Sequence, residues 1–140
     1  MNNALKIVNE MHDQDAFSQW LGIKIIEVSK GNCQLKMTVK KEMLNGFKIA
    51  HGGIAYSLAD SALAFAANTH GNKSLSLETS ISHLETVKEG DVLTAVTREE
   101  FLSEKMAKYL VSIMNQDGKK IAVFKGQVHR TSTIWFSENE

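Results

Sequence analysis

One carboxylate, Asp60, sits near the middle of a stretch from Leu44 to Gly71 that carries almost no charge, "LNGFKIAHGGIAYSLADSALAFAANTHG". An acid placed among apolar residues loses hydration and needs either a partner or a use. Just before it comes His51-Gly52-Gly53, where the chain enters a helical pattern without a Ser, Thr or Asp cap. Free N–H groups at a helix start, backed by the positive end of the helix dipole, attract an anion or a polarised carbonyl. Glycine lets a ligand approach that backbone with no Cβ in the way. Asp60 follows Gly53 by seven residues, about two helical turns, so both can share one side of the helix with Tyr56, Ser57, Ala64 and Ala67. Backbone donors and a carboxylate facing one cleft suit hydrolysis of an activated acyl group. Asp60 as a structural acid bonded to neighbouring donors is the competing reading.

Other chemistries find less support. There is no Gly-x-Ser-x-Gly elbow to make Ser57 or Ser61 a nucleophile. The five histidines (His12, His51, His70, His83 and His129) show no metal-ligand spacing, so no metal and no bound cofactor is expected. No phosphate-binding or dinucleotide fingerprint occurs. Sixteen basic residues balance sixteen acidic ones, which argues against a nucleic-acid partner. Cys33 is the one cysteine; it cannot form an internal disulfide and reads as a structural thiol in a strand, consistent with a reducing compartment. The start of the chain lacks a basic segment followed by an apolar core, and Asp60 interrupts the longest weakly charged run, so neither secretion nor a membrane span is expected.

These residues need elements to position them. Leu5, Val8 and Met11 recur at helical spacing, and after the polar break "HDQD" come Phe17, Trp20 and Leu21, with Gly22 as a stop. "IKIIEVSKGNCQLKMTVKK" reads as two strands around a turn at Lys30-Gly31-Asn32. Gly53 to about Asn68 is apolar on nearly every face, the pattern of a buried helix. Strands follow: "SLSLETSISHL", with Leu75, Leu77, Thr79 and Ile81 on one face and Ser76, Glu78, Ser80 and Ser82 on the other, then three more, the last two joined at Asp117-Gly118. The expectation is α+β: one domain over 1–140, an antiparallel sheet wrapped around a single central helix. Such a sheet leaves an edge to cover, which favours oligomers.

"MLNGFKIAHGGIAYSLADSALAFAAN" and the final "IAVFKGQVHR" together resemble the hotdog-fold acyl-CoA thioesterases, specifically the PaaI-type branch associated with bacterial phenylacetate degradation. The resemblance covers nearly the whole chain. It implies a cytoplasmic hydrolase of aryl-acetyl or related CoA thioesters, with Asp60 as general base or nucleophile and the Gly53 N–H polarising the thioester carbonyl. Gly52 would shape that turn, Asn45 hold the carbonyl or the water, and His51 orient the thioester or its sulfur. Ser76 would supply a hydroxyl across a subunit boundary. The resemblance also implies a homodimer pairing into a homotetramer with sites between subunits. Tyr56, Leu44, Phe47 and Met43 are candidate acyl-pocket residues; Lys119, Lys120, Lys125 and Arg130 are candidates for the CoA phosphates. The chain departs from the family where an aromatic-Leu-x-Pro run is usual and "HLET" stands instead, so His83 would alter the pocket edge. Two rival readings are a hydroxyacyl-thioester dehydratase, which yields an enoyl product, and an acyl-CoA binding module without turnover.

Overall fold

The structure, a computed structural model, describes residues 3–136; the rest of the expected 1–140 domain lies outside the described residues. Helices α1 (Asn3–Asp13) and α2 (Ala16–Trp20) lead into strands β1 (Lys24–Ser29) and β2 (Asn32–Thr38). A loop with a short 3-10 turn at Lys41–Met43 then enters α3 (Gly52–Asn68). Strands β3 (Asn72–His83), β4 (Val92–Leu102), β5 (Met106–Met114) and β6 (Lys120–Ile134) follow. All six strands form one antiparallel sheet in the order β1-β2-β4-β5-β6-β3. The α+β arrangement read from the sequence is therefore present.

Alternation along the strands explains how the sheet holds the helix. Cys33, Leu35 and Met37 on β2, Leu93 and Ala95 on β4, and Val111 and Ile113 on β5 are all buried, meeting Leu58, Leu63 and Phe65 of α3 in one core. The alanines of α3 let strands come close. At Gly126 the approach leaves no room: a Cβ there would lie 2.5 Å from Leu63 Cδ2. Cys33 is buried, and desolvation pushes its thiol up to about 12, as a structural role requires.

Three local expectations change. On α1 the buried face is Ala4, Ile7 and Val8, while Leu5 is exposed. The central helix is not buried all round: Tyr56, Ser57, Asp60, Ser61 and Ala64 form a half-buried stripe along it. Strand β3 does not keep one alternation. Its pairing with β6 shifts register between Ser76 and Glu78, so Ser76 pairs with buried Val128 while Leu75 pairs with exposed His129. Beyond the bulge Thr79 pairs with Gly126 and Ile81 with Phe124, back on the helix side. One extra residue flips every side chain before it to the other face. Leu75 and Leu77 end up 68% and 65% exposed on an edge strand.

A second charged group is tied into the far end of the sheet. Glu99 Oε2 lies 2.6 Å from His70 Nε2 and accepts the Tyr109 hydroxyl at 2.7 Å. Burial pushes the Glu99 carboxyl up, but these bonds and the nearby His70 and Arg130 charges outweigh it, leaving it below its ordinary value. Burial and the Glu99 carboxylate together push the Tyr109 hydroxyl well up.

Gly126→Ala should destabilise the protein by about 1–3 kcal/mol, the usual cost of overpacking a filled core. A urea midpoint that falls at unchanged slope checks this; an unchanged midpoint would mean Leu63 has room to move.

Candidate functional site

The loop before α3 is built around Asn45. Its Oδ1 accepts the Phe47 N–H at 2.9 Å, its backbone N–H donates to the Ile49 carbonyl at 2.8 Å, and its carbonyl accepts from Lys48 at 2.9 Å. Lys48 takes a left-handed conformation, φ 64°, to close the turn. With Oδ1 engaged inside the loop, the amide NH2 of Asn45 is left as the outward donor. Backbone bonds from Ala50 to the Val87 carbonyl and from His51 to the Met43 carbonyl fasten the loop to the body.

The helix start is capped after all. His51 is the N-cap, and its Nδ1 accepts the Gly53 N–H at 2.8 Å. Residue type alone does not signal this, because imidazole is not among the usual caps. The bond requires Nδ1 to carry no proton, which leaves Nε2 as the donor facing out. Gly53, expected to offer a free N–H, thus holds His51 in this structure. The Gly52 N–H, at the first helical position, has no intrahelical acceptor. Both glycines serve imidazoles: a Cβ on Gly53 would lie 3.0 Å from His51 Nδ1, and one on Gly52 would lie 3.3 Å from His83 Nε2. Asn45, His51, Gly52 and His83 line one cavity of about 420 Å³, closed behind by Val87 and Leu93.

Asp60 lies elsewhere. Seven residues along α3 from Gly53, about 10 Å of helix, it lines a separate cavity of about 220 Å³ with Phe17, Tyr56, Ser57 and Ser61. Desolvation holds its carboxyl above the ordinary value, and among the described residues no hydrogen bond or counter-charge offsets it. The neighbouring groups are occupied with one another. Ser61 Oγ bonds Ser18 Oγ at 2.8 Å, Ser18 Oγ donates to Asp15 at 2.6 Å, and the Tyr56 hydroxyl pairs with Thr79 on β3.

The structure therefore gathers Asn45, His51 and Gly52 in one place and Asp60 with Tyr56 in another, with Gly53 at the head of the same helix. Ser76 lines neither cavity; it is exposed on the edge strand. Of the residues expected in an acyl pocket, Met43 is core and Phe47 is 85% exposed on its loop tip. Arg130 donates to the Ser103 carbonyl and to the Asn72 side chain. Lys119 pairs with Glu85 at 3.4 Å on the rim of the Asn45 cavity. His83, read from sequence as a surface or sheet residue that could alter the pocket edge, is in that cavity because β3 pairs it with Ala122 on the helix side. Among the described residues no cluster of His, Cys, Asp and Glu could hold a metal ion, and no helix is long and apolar enough to cross a membrane.

Comparison with known proteins follows the same lines. Residues 47–122 match the thioesterase superfamily. The acyl-coenzyme A thioesterase PaaI of Escherichia coli is 36% identical over 129 residues, 92% of this chain and 92% of its own. The solved structure of the E. coli PaaI protein from the phenylacetic acid degradation operon superposes with a TM-score of 0.92, covering 94% of this chain and 96% of that one. A "hypothetical thioesterase protein" of Streptococcus pneumoniae, solved with coenzyme A, superposes at 0.82 with 25% identity, covering 89% and 96%.

An acid whose folded value is raised favours the protonated form on folding, so its contribution is present at low pH and is lost as pH rises through that raised value. Asp60→Asn should therefore melt higher than wild type at neutral pH, with the gap closing near about pH 3, where Asp60 is protonated in both states. A melt series against pH checks it.

Proposed function

The chain belongs to the thioesterase superfamily and is a thioester hydrolase, and on that footing we propose that it cleaves acyl-CoA thioesters, phenylacetyl or hydroxyphenylacetyl ones foremost, to the free acid and CoA. The observation that carries the reading is the unpartnered carboxylate of Asp60, desolvated on the same helix whose first turn collects donors. Stability alone gives no reason to keep it there. The relatives named for acyl-CoA hydrolysis and for phenylacetic acid degradation support the substrate class, and the CoA-bound relative supports a CoA leaving group.

In the proposed reaction the thioester carbonyl oxygen takes hydrogen bonds from the helix start and the Asn45 amide. A carbonyl there competes with His51 Nδ1 for the Gly53 N–H and meets the free Gly52 N–H as well. Asp60 draws a proton from a water whose oxygen attacks the carbonyl carbon; the C–S bond breaks, and Asp60 returns that proton to the departing sulfur, giving the free acid and the CoA thiol. Direct attack by Asp60, giving an anhydride that water then opens, uses the same placement. The Nε2–H of His51 suits the departing sulfur.

Reacting atoms must come within about 3–3.5 Å of each other, yet the donors and Asp60 of one chain lie about 10 Å apart along α3 in different cavities. A homodimer resolves this, with the loop and helix start of one copy facing Asp60 of the other. The half-buried stripe on α3 and the exposed Leu75 and Leu77 on edge strand β3 support a second copy seated there. In that arrangement Ser76 on the exposed edge lies within reach of the partner's site, and dimers pair further into tetramers. A cytoplasmic setting accords with the substrate.

Asp60→Asn should lower thiol release from phenylacetyl-CoA by about 10²–10⁴-fold, the span of a lost general base, with binding retained. Hydrolysis at the wild-type rate in that variant would make Asp60 structural. An enoyl product from a hydroxyacyl-CoA would instead mark a dehydratase.

A further inference from the structure

The cavity beside Asp60 has one feature that the proposed hydrolysis does not use. Phe17 forms one wall of it, and Phe17 is 54% exposed while stacked on Trp20, itself 49% exposed, with centroids 6.1 Å apart and planes at 18°. The two rings stack on each other and stand half-open to the surface beside the acid. They are also rigidly held. Asp15 caps α2 through the Ser18 N–H at 2.9 Å, and the Ser18 hydroxyl reaches Ser61, the residue after Asp60 on α3. Gln19 Nε2 donates to the His12 and Asp13 carbonyls at 2.9 and 3.0 Å, and Leu21 is fully buried just past the helix end. A five-residue helix would not hold an aromatic in place alone; here it is fastened to the helix that carries Asp60.

We infer that Phe17, backed by Trp20, is the acyl-selecting platform of the enzyme, taking a flat apolar acyl group such as an aryl ring against its face. The inference rests on the hydrolytic reading of Asp60 and adds the residue that chooses the substrate. A carbon attacked from Asp60, directly or through one water, places its acyl substituent in this cavity. The other groups lining it there are small or polar: Asp15, Ser18, Ser57, Ser61 and Ala64. Tyr56 is engaged through its hydroxyl with Thr79 and packs edge-to-face with Phe124, with centroids 5.3 Å apart. Phe17 is the apolar surface that remains, and an aromatic on two rotatable bonds loses little freedom when a ring stacks on it.

The test measures kcat/KM for phenylacetyl-CoA and acetyl-CoA on wild type, Phe17→Ala, Phe17→Leu and Asp60→Asn, with sedimentation to read assembly. The expected result is a phenylacetyl-to-acetyl ratio about tenfold or more lower in Phe17→Ala, chiefly through the phenylacetyl KM. Phe17→Leu falls between, and carries the test if the alanine variant does not fold. An unchanged ratio in both, with Asp60→Asn inactive, overturns the platform and leaves the hydrolytic reading standing. An equal fall for both substrates together with altered assembly also overturns it, making Phe17 a contact between copies. Full activity in Asp60→Asn removes the reading beneath and the platform with it.

Discussion

A desolvated carboxylate with no partner among the described residues is the constraint that the rest of this structure accommodates. Asp60 costs folding free energy at neutral pH, because burial raises its value and no donor compensates. The surrounding groups are arranged so as not to satisfy it. Ser61 turns to Ser18, Ser18 to Asp15, and Tyr56 to Thr79, so these three hydroxyls are engaged with groups other than the acid. The sheet packs on the other faces of α3 and leaves this stripe half-buried. Strain of this kind is kept where chemistry uses it.

The same helix sets the second constraint. Its first turn offers donors while its middle offers the acid, and the fixed rise of an α-helix keeps the two apart. His51 refines the first turn: as cap it accepts the Gly53 N–H on Nδ1, which leaves Nε2 as its donor. On the proposed reading, a substrate carbonyl at this N–H displaces an imidazole that stays close by. Glycine at 52 and 53 is what lets both imidazoles sit against the backbone.

Much of this was legible in the sequence. The near-continuous apolar run identified the buried helix, alternation identified most strands, and Gly31 and Gly118, both at positive φ, marked hairpin turns. Asp60 stood out because an acid in such a run is rare. Other features left no such trace. The β3 bulge adds one residue without changing composition, yet it reverses Leu75 and Ser76. The His51 cap was hidden by the preference for hydroxyl and carboxylate caps. Arg130 read as a free cation until the fold brought Asn72 and Ser103 to it. Phe17 read only as a helical residue, because its proximity to Asp60 comes from a tertiary bond between Ser18 and Ser61, 43 positions apart.

The central claim is that two half-sites of one chain become whole only between copies. Complementation tests it most directly: Asp60→Asn subunits are unfolded together with His51→Ala subunits, refolded, and assayed for thiol release. Each variant alone is expected to be nearly inactive. Mixed dimers carry one intact site of two, and half the random pairs are mixed, so activity should return to about a quarter of wild type. A mixture no more active than its components would contradict the claim and confine the chemistry to a single chain.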